Sequence, residues 1–480
     1  MSLENLPAKP ASLSRRAFLY LASLAALAPA LVRGAQAAPS AASAKYSAAQ
    51  LSEWNALLKE AAEFPLYSAL YGRRSRRFGW GMEIPRGPLK FKSDKPPSAL
   101  DDFERSMLLA AGLGVSGQHN GIPYSDAEPG LATYAARYTG RTLPTAAGIG
   151  SPDLFYTEDS GTYFVSTRDA KTDGNWAHER LSEPERVIAA AQGHTRQLSD
   201  KRIELPRGEP HYSAHNAWNA NVPGSTVFIP VANVSEQFMG FLFIVAGSGF
   251  TVWDDQHARP AGDLEPFFKQ GLLNPEKKYP LSYMEQYILT CSAVEMGDMG
   301  HNIVLALQTL GLGGWFFSGI SPFSLMGAGA AKGLPGLGFR FQTDPKWGVP
   351  NPIGLDGIYE GYCPPYHKDM RAAVEAYVNL KFGPGGAYDP QSPGPFLDNP
   401  KIKATAARPE PELVEAVVKI AEYIYATYGK FPGTVPSMYI RFYAQAHRLE
   451  TAFYDKFIQD PYLATHGRNV ARWLKKIGRA

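Results

Sequence analysis

From Tyr283 to Leu312 the apolar residues Ile288, Ala293, Met296, Met299, Ile303, Leu307 and Leu310 recur every three or four positions, and Gly311 follows the last of them. That spacing puts them on one face of a single long α-helix, and the glycine supplies the residue that ends it. A helix of this length and pattern is expected to lie at the centre of the fold, wrapped by other layers. The chain has the material for that: 45% of its 480 residues are hydrophobic, enough for a large core, which excludes disorder and collagen-like structure. From residue 38 onward no stretch reaches the roughly 18 uninterrupted apolar residues of a membrane span. None is expected in the mature chain.

The N-terminus reads differently. Ser14-Arg15-Arg16-Ala17-Phe18-Leu19 opens an apolar stretch that runs to Val32, and Ala35-Gln36-Ala37 stands before Ala38. Residues 1–37 therefore read as a processing signal and are set apart from the fold. The paired arginines ahead of a short, Ala-rich stretch resemble a twin-arginine leader. That resemblance implies export of an already folded protein, a route used chiefly where a cofactor is inserted in the cytoplasm, so a periplasmic cofactor protein is expected. The same segment carries Lys9, Arg15, Arg16 and Arg33 against Glu4, and removing it leaves a neutral body. No net field invites nucleic acid or anionic lipid. Cys291 and Cys363 are the only cysteines, too few for a disulfide framework, and nothing in the sequence supports their pairing after export.

Along the mature chain a helical pattern runs from Ser47 through Tyr71 and gives way to Arg73-Arg74-Ser75-Arg76-Arg77-Phe78. After a Pro/Gly/Lys-rich loop to Pro97, Ser98 with Asp101 reads as a capping box for a helix whose stripe is Leu100, Phe103, Met107, Leu108 and Ala111. Leu154–Tyr156 and Tyr163–Val165 read as a hairpin. Residues 169–225 are polar and weakly periodic, an insert or lid. Val227 to Val245 is strand-prone at both ends, although Ser235-Glu236-Gln237 equally begins a buried helix. Residues 319–366 are Gly- and Pro-rich with strand-like fragments, and 384–411 form a linker. Helices are expected over Glu412–Tyr428 and, aromatic-rich, over Pro436–Ile458. The organisation expected is a signal at 1–37, a body at 38–383, and a linker with a C-terminal helical extension at 384–480.

Three features carry chemistry. Arg73-x-Ser75-x-Arg77 combines guanidinium groups with a hydroxyl, the groups that a phosphate monoester or the electron-rich edge of a heterocycle needs. Arg141-Thr142-Leu143-Pro144-Thr145-Ala146-Ala147-Gly148 is a small-residue turn that a flat ring can approach closely. Gly311-Leu312-Gly313-Gly314-Trp315 ends the long helix in exposed backbone N–H groups. Each alone is weak, since an arginine run is usually a solvated face and a glycine at a helix end is usually a cap.

In this order and at these separations the three resemble the flavin-dependent nitroreductase superfamily, most closely its SagB-type dehydrogenase branch, over residues 66–165 and 283–345. The resemblance implies an α+β fold with a central, mostly antiparallel sheet flanked by helices, bound FMN, and an obligate homodimer with the flavin at the subunit interface. It implies that Arg73 and Ser75 hold the phosphate and that Arg77 faces the pyrimidine edge, where a positive charge stabilises the reduced flavin. Pro144, Thr145 and Ala146 would line the ring, Gly313 and Gly314 would make close backbone contacts, and Arg340 would be the late basic residue that completes the phosphate site. Hydride or electrons would pass through flavin N5 to or from a small molecule. Outside the cytoplasm NAD(P)H is scarce, so a redox partner protein or dioxygen is the expected second reactant. One departure stands out: Phe316-Phe317-Ser318-Gly319 follows Trp315 where the family carries a proline-Glu-Gly signature, so the hydrogen bond to N5 has no assigned donor.

Other residues weigh less. His301 is a catalytic candidate by its place on the long helix, although a histidine there is more often a core residue. His447 and Glu450 with Asp455 give a partial metal-site spacing that lacks a second ligand pair, and no metal is expected. His211, His215 and Trp218 fall in the insert, where they edge a substrate pocket or form a polar lid. A non-redox binding or scaffold protein on a degenerate version of the same fold is the alternative, favoured by the missing signature and opposed by Arg73, Ser75 and Arg77. A metalloenzyme centred on His447 and Glu450 is the third reading.

Overall fold

Gly311 has φ +68° and closes a 30-residue helix, Leu281–Leu310, in the computed structural model of the chain. Residues 45–122, 124, 130–145, 148–171 and 181–479 are described. The expected processing segment, part of the insert, and Ala146 lie outside them. The face read from the sequence is the buried one: Met296, Met299, Ile303 and Leu307 are fully enclosed.

This helix packs against a seven-stranded sheet in the order Gly313–Phe317, Tyr443–His447, Thr226–Asn233, Pro152–Glu158, Gly161–Val165, Thr195–Ser199, with Met438–Tyr439 also on Thr226–Asn233. Every pairing in it is antiparallel. The expected hairpin forms its fourth and fifth strands, joined through Asp159 and Ser160. Strand Thr226–Asn233 is buried on both faces, because alternate residues enter different cores. Val227, Ile229 and Val231 join Phe155, Trp315 and Tyr443 on one side. Phe228 meets Leu154, Met299 and Ile303 on the other, each enclosed side chain worth roughly 2 kcal/mol. The strand then turns directly into helix Val234–Gly247, with Asn233 as its cap, so the helical reading of Ser235-Glu236-Gln237 is the one the fold adopts.

Helices Met370–Phe382 and Pro411–Tyr428 complete a third core with Val234–Gly247, and Gly429 at φ +75° ends the second of them as expected. Among the described residues no helix is long and apolar enough to cross a membrane.

Several boundaries differ from the sequence expectations. The first helical pattern is two helices, Ala48–Glu63 and Leu66–Gly72, because Pro65 cannot continue the first. The capping box belongs to Asp101 and Glu104, one turn beyond Ser98. Glu104 fixes it there, since its carboxylate also binds Arg448 at 2.6 Å and Arg472 inside the protein. The insert contributes helix Pro184–Gly193 and an edge strand, Thr195–Ser199. The largest difference is at the C-terminus: Pro436–Ile458 is not one helix. Tyr443–His447 is a strand in the interior of the central sheet, and only Thr451–Phe457 is helical.

Cys291 and Cys363 are free thiols, half-buried and buried respectively.

Candidate functional site

The arginine segment leaves helix Leu66–Gly72 in extended conformation and lies against the edge of the central sheet. Arg76 and Gly314 exchange backbone hydrogen bonds, Arg76 N–H to Gly314 O at 3.0 Å and Gly314 N–H to Arg76 O at 2.9 Å. Two motifs far apart in sequence, the arginine run and the glycine-rich strand start, are thereby adjacent.

Arg76 is the buried member. Its guanidinium donates to Gln308 Oε1 (2.6 Å), Pro461 O (2.8 Å) and Gly72 O (3.1 Å), all neutral acceptors, and burial pushes its pKa down to about 10. Arg77 is half-buried. Its Nη2 donates to His215 O (2.5 Å) and to the amide oxygens of Asn216 (2.6 Å) and Asn219 (3.4 Å), while its Cζ lies 5.3 Å from the centre of the Trp315 ring and 5.8 Å from that of Trp218. Burial lowers its pKa as well, and its Nε is buried without a hydrogen-bond partner. Arg73 and Ser75 are exposed, and Arg74 bonds the carbonyls of Tyr71 and Arg73. Among the described residues none of these four arginines is ion-paired; every acceptor they use is a carbonyl or amide oxygen. Four cations in five positions without a counter-ion make a standing positive potential.

Gly313 and Gly314 are both buried, and their hydrogen side is filled by the protein itself. A Cβ on Gly314 would run into Gln445 O and Leu307 Cδ1, and one on Gly313 would meet His447 Nε2 at 2.7 Å. His447 is enclosed and neutral, burial holding its pKa near 3, and His466 behind it is held near 3 by burial and then by the charge of Arg76. Burial thus favours the neutral form of both rings. Glu450 is buried too, spent on Ser93 Oγ (2.5 Å) and Lys95 Nζ (2.7 Å) rather than set beside His447.

The second motif lies along the same central helix. Asn302 Nδ2 donates to Thr142 O at 3.0 Å, six positions before Gln308, which is about 9 Å along the helix axis. Pro144 is exposed and Thr145 half-buried on this turn, and His301, next to Asn302, is exposed. Arg141 points inward and bonds Pro152 O (2.7 Å) and Gly150 O (3.0 Å). Arg340 stands apart: it is exposed on the strand Arg340–Gln342, and its guanidinium is paired with Asp356.

The residues that sequence reasoning missed come from the insert and the helix. Asn216, Asn219 and Gln308 hold Arg77 and Arg76, and the insert backbone at Ser213 is tied to Gly319 O at 3.0 Å. His215 and Trp218 border Arg77. No local pattern marks Asn216 or Gln308, whose roles depend on partners far away in the chain.

No family model matches the chain, and no curated protein matches it. Among solved structures, that of a candidate nitroreductase from Ralstonia eutropha aligns at 15% identity over 54% of this chain and 71% of that chain, with a TM-score of 0.22. Overlap at that level fixes neither fold nor activity, and the architecture rests on the strands and helices described above.

Proposed function

We propose that the chain is an FMN-dependent oxidoreductase of the nitroreductase superfamily, acting on a small molecule after export in folded form to the periplasm. The observation that carries this reading is the arginine segment: Arg73, Arg74, Arg76 and Arg77 have no carboxylate partner among the described residues, and Arg76 and Arg77 lie beside Gly314 and Trp315. An anionic ligand with a planar aromatic part answers that combination of charge and ring faces. The buried, unpartnered Nε of Arg77 is consistent with a missing acceptor.

In this reading Arg73 and Ser75 hold the phosphate, and Arg77, steadied by Asn216 and Asn219, presents positive charge to the electron-rich edge of the ring. Gln308 fixes Arg76 and with it the backbone of the whole segment. The turn at Pro144 and Thr145 borders the ring from farther along the central helix. Arg340 is left out of the cradle, since Asp356 takes its charge. When bound, FMN supplies hydride or electron transfer through N5. A homodimer would cover the exposed side of Arg73 and Ser75, and a redox protein or dioxygen would be the second reactant.

A scaffold or binding protein without flavin is the second reading. The filled space at Gly313 and Gly314 favours it, because those glycines are explained by packing against His447 and Leu307. The two readings separate on the full chain isolated from cytoplasmic expression. Its visible spectrum and the mass of any released small molecule should show FMN, and Arg73→Ala with Arg77→Ala should strip it. A colourless protein that takes up no added FMN decides for the scaffold.

A further inference from the structure

We propose a second ligand site, separate from the arginine cradle, that takes a small neutral molecule with an aromatic or branched aliphatic body and one hydroxyl-sized polar end. A cavity of about 150 Å³ opens between helices Asp102–Leu113 and Pro184–Gly193. Leu109 and Leu113 line it from the first helix, Val187 and Ala191 from the second, and Val115 and Val165 from neighbouring strands. Every one of these is aliphatic, and among all the lining residues none is a carboxylate, lysine or arginine. A mostly aliphatic cavity of about this volume admits a benzene-sized guest, since water gains few hydrogen bonds there and a guest makes the dispersion contacts that the walls otherwise lack.

Two features argue for a guest rather than a packing gap. The helix facing the cavity presents consecutive alanines, Ala190 and Ala191, both half-buried, where any larger apolar residue would close the space. The polar part of the lining is the side chains of Ser116, Thr142, Thr167 and His194. The Thr167 hydroxyl is already spent on Leu113 O at 2.6 Å. Ser116 and Thr142 are exposed, and their hydroxyls bond no described residue, while the Thr142 backbone is fixed on both sides, its N–H to Gly114 O (2.9 Å) and its carbonyl to Asn302 (3.0 Å). An apolar body with a few fixed polar groups is the usual form of a small-molecule site. No lysine or arginine lines the cavity to attract an anion, which distinguishes this site from the cradle at Arg77.

The test uses the full chain with three probes: toluene, benzyl alcohol and benzoate. Toluene and benzyl alcohol should raise the thermal midpoint saturably, and benzoate should not. Ala191→Leu should weaken both active probes at least tenfold, and Thr142→Val should weaken benzyl alcohol about threefold to tenfold while leaving toluene unchanged. Should Ala191→Leu fail to fold, Ala190→Leu serves the same purpose, and xenon NMR on the unaltered protein reports cavity access directly. The proposal is overturned by the absence of any saturable shift, by benzoate acting as strongly as benzyl alcohol, or by the leucine variants binding unchanged. None of these readouts depends on flavin content.

Discussion

Arg76 and Gly314 hydrogen-bond each other in both directions, at 3.0 and 2.9 Å, and this exchange is what carries the arginine segment onto the central sheet. Everything the candidate cradle can do depends on that register, because Arg77 on one side and Trp315 on the other inherit their positions from it.

Gly314→Ala should therefore be costly. Gly314 sits at φ +154°, and a Cβ there lies 2.5 Å from Leu307 Cδ1 and runs into the backbone oxygen of Gln445, which the strand ladder holds in place. Overpacking of this kind costs about 3 kcal/mol or more, to be read as a lower urea midpoint with unchanged slope. A variant as stable as the parent would show that the edge contact bears little weight.

Glu104 is the buried hub of the C-terminal helix. Desolvation alone would raise its pKa, but the guanidinium groups of Arg448 and Arg472 outweigh it and hold the carboxyl near 2. A folded-state value below the unfolded one means stability that is complete above the ordinary carboxylate range and lost as pH falls from about 4.5 toward 2. Glu104→Gln should cost about 3 kcal/mol at neutral pH and flatten that acid limb, measured as denaturant midpoints against pH.

Lys381 lies buried beside Tyr377, Phe382 and Tyr388 with the Thr133 carbonyl as its acceptor, and burial pushes its pKa down to about 7. The unfolded chain then holds this proton more tightly, so the penalty is full below about 7 and relieved as pH rises toward the ordinary lysine value of 10.5. Lys381→Met should gain roughly 1 kcal/mol or more at pH 7, and the gain should vanish toward pH 10. Thermal melts at the two pH values decide it.

Asn216 ties the insert to Arg77. Asn216→Ala should loosen residues 208–221 by about 1 kcal/mol, visible as faster hydrogen exchange there and not in the central helix. If exchange is unchanged, the insert is held by its other ties, such as Ser213 to Gly319.

The readable parts of this fold were those whose signal is local. The long helix with Gly311, the Leu154–Val165 hairpin and the helix ending at Gly429 each announce themselves in spacing and terminal glycine. Tyr443–His447 does not. Tyr-Ala-Gln-Ala-His is short and carries two alanines, so its local preference is helical, and only pairing with Gly313–Phe317 and Thr226–Asn233 makes it a strand. The cap at Asp101 slipped one turn from the expected Ser98 for a related reason, since Arg448 and Arg472, far along the chain, select the carboxylate. At the candidate site the arginine cluster and the glycines were legible as motifs. The acceptors that hold them were not, because Asn216, Gln308 and the Pro461 carbonyl become partners only after the chain has folded back on itself.

Tyr443–His447 also dictates when the molecule can be completed. Gly313–Phe317 and Thr226–Asn233 share no ladder with each other, and each is zipped onto Tyr443–His447, so the two parts of the sheet stay unjoined until this segment is in place. A chain in which that rung is displaced loses the join inside the sheet and not merely an edge.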